Sequence, residues 1–408
     1  MTPAPPPRPL SIYMVAAEES GDALGAALVR ALTARHGGAL TLAGVGGRAM
    51  AAAGIASPFA IDDLAIFGLG AIPARLPMIF RRIRQTADTV IAARPDVLVI
   101  IDSPDFTHRV ARRVRRAAPA IPIIDYVSPS VWAWRPGRAR AMRAYVDLVL
   151  AILPFEPASH LKLGGPPCIY VGHPLIEHIG ALRPNAAEAA RRRADPPLVL
   201  VLPGSRMSEV RRHLGLFGTV LARVAERGGP LALVLPTVPH LASYVREATA
   251  GWNPAPRIVV EQADKWAAFR NARAALAASG TVTLELALTG VPSVAAYRVS
   301  AIEAAVGRLM RLRSKVPSFI LANLTLGENV MPEFIQEDST VERLVAAFAP
   351  LLSETPQRRR QIEAFSRLDA IMGIGGTAPS AKAAAIVLDV AERGRRDAAA
   401  GEQAAHPG

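Results

Sequence analysis

The sequence predicts an α/β protein with two Rossmann-like domains facing a central cleft. Three observations lead there. Short runs of aliphatic and β-branched residues alternate with longer helical stretches through both halves of the chain. That rhythm breaks once, at the polar, Pro-punctuated stretch from Pro184 to Pro197, and then starts again. At 408 residues, 51% of them hydrophobic, the chain is long enough for two cores of ordinary size.

In the first half, Leu10–Ala17 reads as a strand, Glu18-Glu19-Ser20-Gly21-Asp22 as a polar loop, and Ala23–Ala34 as a helix capped by Ser20 or Asp22. Leu40–Gly44 is a second strand. The following Gly44-Val45-Gly46-Gly47-Arg48-Ala49 matches only the loosest dinucleotide fingerprint and is read as a glycine turn. Val97–Ile101 is five apolar, mostly β-branched residues, the pattern of a strand buried on both faces. It stops at Asp102, and Pro104 bars its continuation. Ligands of open α/β sheets bind at the carboxyl ends of strands, so Asp102 is a candidate general base. The competing role is a cap, by Asp102 or Asp105, for the helix from about Phe106 to Arg116. Ile121–Val127, Leu148–Leu153 and Cys168–Val171 complete the strands of this half. Ser130, Trp132, Trp134 and Arg135 follow one of them, and His173 follows another.

Leu64–Arg84 differs from its surroundings. Ile66, Phe67, Leu69, Leu76, Ile79 and Phe80 are interrupted by Pro73 and Pro77 and flanked by Arg75, Arg81, Arg82 and Arg84. Apolar residues beside arginines fit a segment lying in a membrane interface; a core helix with a solvated face is the alternative.

The second half repeats the pattern. Leu198–Leu202 is a strand, Pro203-Gly204-Ser205-Arg206 a tight loop, and Ser208 the cap of the next helix. Leu231–Leu235, Arg257–Val260 and Ala274–Ala278 are strands, with Pro292–Tyr297 as the last. Ser279-Gly280-Thr281 before a helix offers free N–H groups and the positive end of a helix dipole, an anion site. Glu285, one turn on, could receive two ribose hydroxyls, or be a solvated helix residue. Gln357–Arg367 and Ala378–Val390 read as terminal helices, and 394–408 as a disordered tail.

Composition narrows the function classes. The net charge is +13, and only four of the 47 basic residues are lysines: Lys162, Lys265, Lys315 and Lys382. This suits nucleic acid, anionic lipid or phosphorylated substrates. Aromatics are 5% and no run reads as an RNA-binding module, so no nucleic-acid partner is expected. One cysteine, Cys168, excludes an intrachain disulfide, and no ligand cluster suggests a metal. A Walker A motif, a signal-peptide h-region and a membrane-spanning run are all lacking, so a cytoplasmic location is expected.

Taken together, the motifs resemble the lipid-A-disaccharide synthases, inverting glycosyltransferases of the GT-B fold. The matching runs are Glu18…Ser20-Gly21-Asp22, Ile101-Asp102-Ser103-Pro104-Asp105-Phe106, Tyr126-Val127-Ser128-Pro129-Ser130-Val131-Trp132-Ala133-Trp134-Arg135, Leu153-Pro154-Phe155-Glu156, Gly172-His173-Pro174-Leu175, Leu202-Pro203-Gly204-Ser205-Arg206…Glu209-Val210, Ala278-Ser279-Gly280-Thr281…Leu284-Glu285 and Tyr297-Arg298. The resemblance implies transfer of 2,3-diacylglucosamine from UDP-2,3-diacylglucosamine to lipid X, the 1-phosphate of the same diacylated sugar, without a cofactor. It implies Asp102 and Arg206 as catalytic residues. Gly204, Ser205, Arg206, Ser279, Gly280, Thr281, Glu285 and Asn323 would lie on the UDP side, and Glu18, Ser20, Asp22, Ser130, Trp132, Trp134 and His173 on the acceptor side. It further implies an acceptor domain over residues 1–178, a UDP-sugar domain over 179–355 and a C-terminal helix, about 371–390, that rejoins the first. Peripheral attachment to an anionic inner-membrane surface, as a monomer or homodimer, completes the expectation. A UDP-N-acetylglucosamine 2-epimerase and another GT-B transferase are the nearest alternatives, a basic RNA-binding protein the most remote. The chain departs from the family pattern at Ala17 and Glu19, at Leu321-Ala322-Asn323, where Leu-Pro-Asn is usual, and at Glu328.

Overall fold

The computed structural model describes residues 8–64, 72–133, 135–299 and 317–405; for residue 62, 72–75 and 397–405 it describes the backbone alone. The chain divides into two compact units, Met1–Pro174 with Gly376–Gly408, and Leu175–Gly375.

The first unit is built on six parallel strands: β1 (Leu10–Ala16), β2 (Leu40–Val45), β3 (Val97–Ile101), β4 (Ile123–Tyr126), β5 (Leu148–Ala151) and β6 (Cys168–Tyr170), in the order β2-β1-β3-β4-β5-β6. The second unit has β7 (Leu198–Leu202), β8 (Ala232–Pro236), β9 (Arg257–Val259), β10 (Ala274–Ala278), β11 (Ser293–Tyr297) and β12 (Glu333–Ile335), in the order β12-β11-β10-β7-β8-β9. All ladders are parallel, which explains the strands' unbroken apolar character: β3 and β10 are buried at every position. Strand order reverses between β1 and β3 in one sheet and between β7 and β10 in the other. Crevices at such switch points are where α/β sheets place ligands.

Several elements differ from the sequence reading. The helix after β1 spans Glu19–Arg35, so Ser20 and Asp22 lie inside it instead of capping it. Gly21 is there for space rather than for a turn, since a Cβ would sit 3.2 Å from the Ile101 carbonyl oxygen. The stretch read as a linker carries a helix, Ala186–Arg191, closed by a reciprocal Asn185–Glu188 capping box. Arg192 next to it donates to the carbonyls of Phe269, Arg270, Thr289 and Gly290, fastening the segment to the second unit. Pro292–Tyr297 is not the last strand, because β12 pairs with β11 beyond it. Arg206, not Ser208, occupies the N-cap of the helix Met207–Gly228.

The last helix is Pro379–Ala405, later and longer than either helix expected there. Ala383, Ala384, Val387, Leu388 and Ala391 bury into the core formed by the helix Glu19–Arg35, β1 and β3. The backbone stays helical through Gly394, where a disordered tail was expected to begin. The reason is steric: a Cβ at Gly394 would lie 2.7 Å from the Asp96 carbonyl oxygen and 2.8 Å from Pro122. Its glycine marks a close approach, not a helix end.

Leu64–Arg84 also resolves in part. Ile72–Ala93 is one helix containing Pro77, and Ile79 packs with Ile83, Ala87 and Val90 against the core. Ile79 is half-buried, its helical spacing turning it toward the core. Leu76 and Phe80 are exposed, at 39% and 53%. Ile66, Phe67 and Leu69 lie outside the described residues.

Gly394→Ala is expected to lower stability by about 1–2 kcal/mol, because the clash outweighs alanine's better helix propensity of about 1 kcal/mol. Thermal unfolding checks this; an unchanged or raised midpoint would contradict the close packing of the last helix.

Candidate active site

Asp102 and Ser103, the two residues after β3, both have left-handed backbones, with φ of 53° and 47°. For non-glycine residues this costs about 1–3 kcal/mol each and is concentrated at functional sites. The surroundings impose it. The Asp102 amide donates to the Tyr126 carbonyl at 3.0 Å, and the Thr107 hydroxyl donates to the Asp102 carbonyl at 2.6 Å. The Asp102 carboxylate accepts the Ser103 amide at 2.7 Å and the Ser20 hydroxyl at 3.1 Å. Ser103 holds the N-cap position of the helix Pro104–Ala117, and exposed Asp105 pairs with Arg138 at 3.5 Å, so neither carboxylate is a cap. Ser20 follows β1 and Asp102 follows β3, which puts this pair at the first sheet's switch point.

Asp22 serves the scaffold. It is buried, and its two oxygens accept the amides of Gly47, Ala49 and Met50 at 2.7–3.0 Å. It thereby caps the helix Arg48–Ala52, and the place a phosphate would take at the glycine turn is held by this carboxylate. Glu18 is exposed at the N-cap of the first helix. Ala17 is absent from the left-handed backbone positions, so this loop does not require a glycine there. Ser130 is exposed, Trp132 packs edge-on to Phe155 at 5.3 Å, and Trp134 lies outside the described residues. His173 is buried, and burial pushes its pKa down to about 4, so it is a neutral side chain at physiological pH.

On the second unit, Gly204 has φ 120° and no room for a Cβ, which would lie 2.6 Å from Glu209. The space admits the Glu209 carboxylate, which accepts the amides of Ser205 at 3.2 Å and Arg206 at 3.4 Å. Gly204 and the Ser205 amide therefore shape the loop. The Arg206 guanidinium pairs with Glu209 at 3.0 Å while remaining 78% exposed, and so stays available. His213 joins the same corner. Its Nδ1–H donates to the Pro203 carbonyl at 2.9 Å, and its Nε2 accepts the Arg298 amide at 3.0 Å, a pairing that needs the neutral ring. Burial lowers its pKa in the same direction.

The helix Val282–Thr289 is different. The amides of Gly280, Thr281 and Val282 have no hydrogen-bond partner among the described residues, and Gly280 and Thr281 are exposed. Asp22 takes amides at the helix N-terminus after β2, and Glu209 takes the Ser205 and Arg206 amides of the loop after β7; the amides after β10 are open to an anion. The Ser279 hydroxyl is already committed to the Phe319 carbonyl and to Glu333. Glu285 is buried, held by Lys265 Nζ at 2.8 Å and the Trp266 indole at 3.1 Å. An ionised carboxylate has about four acceptor positions, so two remain for hydroxyls. Asn323 departs from its expected role. It is buried, and its amide group bonds Ser318, Val330 and Met331, so it closes its own loop instead of facing a nucleotide. Glu328 pairs with Arg360 and Arg367, which hold its carboxyl below the usual range.

A family model described as lipid-A-disaccharide synthetase matches residues 12–385. The chain belongs to this family. A lipid-A-disaccharide synthase of Bradyrhizobium diazoefficiens is 58% identical over 385 residues, 94% of this chain and 97% of that one. Members are hexosyltransferases of lipid A biosynthesis, acting on a UDP-sugar and a lipid, and this chain is one of them; the epimerase alternative falls. Solved structures show the same GT-B fold at low identity. The S. aureus MnaA–UDP co-structure superposes with a TM-score of 0.61 at 13% identity, covering 91% of this chain and 94% of that one. The kitacinnamycin glycotransferase gives 0.60 at 18%, covering 94% and 99%.

Sequence reading missed a buried polar chain in the first unit. His108 Nε2 meets Asp125 at 3.1 Å, its Nδ1 meets the Tyr145 hydroxyl at 3.1 Å, and Arg112 donates to that hydroxyl at 3.1 Å. The signal was an aspartate inside the apolar strand Ile123–Tyr126. Nearby, burial pushes the Glu156 carboxyl up to about 8, against the pull of the Leu153 amide that donates to it at 3.0 Å.

Glu156 gives a pH test. Its folded pKa lies above the unfolded value, so its contribution is fully present below about pH 4.5 and is lost as pH rises through about 8. The slope is about 1.4 kcal/mol per pH unit in that window. Glu156→Gln keeps an acceptor for the Leu153 amide and removes the titration. Its melting temperature should pull above wild type as pH goes from 5 to 8; parallel curves would contradict the assignment.

Proposed function

We propose that this chain transfers 2,3-diacylglucosamine from UDP-2,3-diacylglucosamine to the 6-hydroxyl of lipid X, with inversion, giving the β-1,6-linked disaccharide 1-phosphate and UDP. The observation that carries the reading is Asp102: an acceptor-only carboxylate held in a strained backbone at a sheet switch point, with Ser20 fixing one oxygen. It takes the proton from the acceptor hydroxyl as that oxygen attacks C1 of the donor.

UDP is a stabilised anion and needs charge neutralisation instead of an acid, unlike the leaving group of a glycoside hydrolase with its carboxylate pair. The open amides of Gly280, Thr281 and Val282 and the Arg206 guanidinium supply that. Glu285, oriented by Lys265 and Trp266, receives the ribose hydroxyls. No step calls for a metal.

We also infer a cytoplasmic protein held peripherally at the inner membrane. Exposed Leu76 and Phe80 beside arginines and the +13 charge support it. No helix among the described residues is long and apolar enough to cross a bilayer.

Purified protein given the acylated UDP-sugar should release UDP only when lipid X is added, and the product should be a disaccharide 1-phosphate. Equal release without lipid X would replace the transfer reading with hydrolysis of the donor.

A further inference from the structure

A pocket of about 330 Å³ in the first unit lies outside the groups used so far. Four arginines line it, Arg109, Arg112, Arg135 and Arg138, together with His108 and Asp105. Among the described lining residues one carboxylate stands with four guanidiniums, three of them (Arg109, Arg112 and Arg138) on the two helices that wall the pocket, so the concavity is positive. Among the described residues Asp105 pairs with Arg138, at 3.5 Å, a loose contact. Arg112 is steadied by the Tyr145 hydroxyl at 3.1 Å and lies 4.6 Å from the centre of that ring. Arg135 has a left-handed backbone, φ 51°, a strain that persists only where its surroundings impose it.

Two neighbours define what would fit. Pro104, which also lines the pocket, follows Asp102 by two residues, so their Cα atoms are at most about 7.6 Å apart. The Arg109 guanidinium, in turn, lies 5.3 Å from the ring of exposed Phe80, on the helix that also exposes Leu76. A ligand spanning these features has a hydroxyl near Asp102, a compact multiply charged anion among the arginines and acyl chains toward Phe80. Planar guanidiniums bind phosphate through paired hydrogen bonds.

We propose that this pocket binds the phosphomonoester of the acceptor sugar and so positions the acceptor's hydroxyl at Asp102. The proposal rests on the transferase reading above and goes beyond it by assigning the acceptor's charged group a site. The four arginines make the enzyme select phosphorylated over unphosphorylated acceptors.

The test is steady-state kinetics of the full chain in detergent micelles, with lipid X and with the same diacylglucosamine lacking its phosphate. The charge-removing variant is Arg109→Gln with Arg138→Gln, which spares the Arg112–Tyr145 contact. The ratio of kcat/KM for phosphorylated over unphosphorylated acceptor should fall at least tenfold, chiefly through KM for lipid X. An unchanged ratio, or equal losses on both acceptors, would overturn the proposal. If the variant fails to fold, glucosamine 1-phosphate on wild type decides: it should inhibit competitively against lipid X and more weakly as salt rises. Failure to compete overturns the site. Variant loss confined to sedimentation with phosphatidylglycerol vesicles, at unaltered acceptor discrimination, would assign the pocket to bulk phospholipid and also overturn it. Direct calorimetric binding of glucosamine 1-phosphate to wild type and variant reads the pocket independently, even should no UDP be released.

Discussion

The left-handed pair Asp102–Ser103 is the constraint around which the first unit is arranged. Two consecutive non-glycine residues in this region cost a few kcal/mol, which other contacts must offset. The Tyr126 carbonyl holds one amide, the Thr107 hydroxyl holds the backbone from the next helix, and Ser20 holds the carboxylate from the first helix. Gly21 lets that helix come close enough, since any side chain would press on the Ile101 carbonyl. The last helix then packs against the first helix, β1 and β3, so both ends of the unit support the same loop. The aspartate is aimed by its whole surroundings and has little freedom to turn away.

A second principle organises the helix N-termini. Each offers free amides and the positive end of a dipole, and each must be satisfied. Asp22 caps the helix after β2, and Glu209 takes the Ser205 and Arg206 amides of the loop after β7, whereas no carboxylate among the described residues takes the amides of Gly280–Val282 after β10. That difference sets Gly280–Val282 apart from the two other glycine-containing loops, after β2 and β7. It also separates residues that shape loops (Gly204, Ser205, Ser279 and Asn323) from those that keep free groups, Arg206 and Glu285.

Much of this was legible in the sequence. Parallel strands buried on both faces write themselves as apolar runs, and eleven of the twelve described strands could be found that way; three-residue Glu333–Ile335, with polar and half-buried positions, could not. Asp102 was legible because a carboxylate ends an apolar run before a proline. The linker was misread because its polarity belongs to a capped helix and to an arginine that binds carbonyls. Asn323 and Asp22 looked like ligand contacts because a committed side chain and a free one are the same letter. The arginine pocket was invisible because Arg109 and Arg112 meet Arg135 and Arg138 only through the packing of β3, β4 and their helices.

The most direct measurement is turnover and UDP affinity of Asp102→Asn, which keeps the shape and the Ser103 amide contact and removes the base, with the Ser20 hydroxyl turning from donor to acceptor. The account predicts a loss in kcat of about 10²–10⁴ with UDP binding unchanged. Near-normal turnover would contradict it, and would leave the strain at Asp102 as a feature of the fold alone.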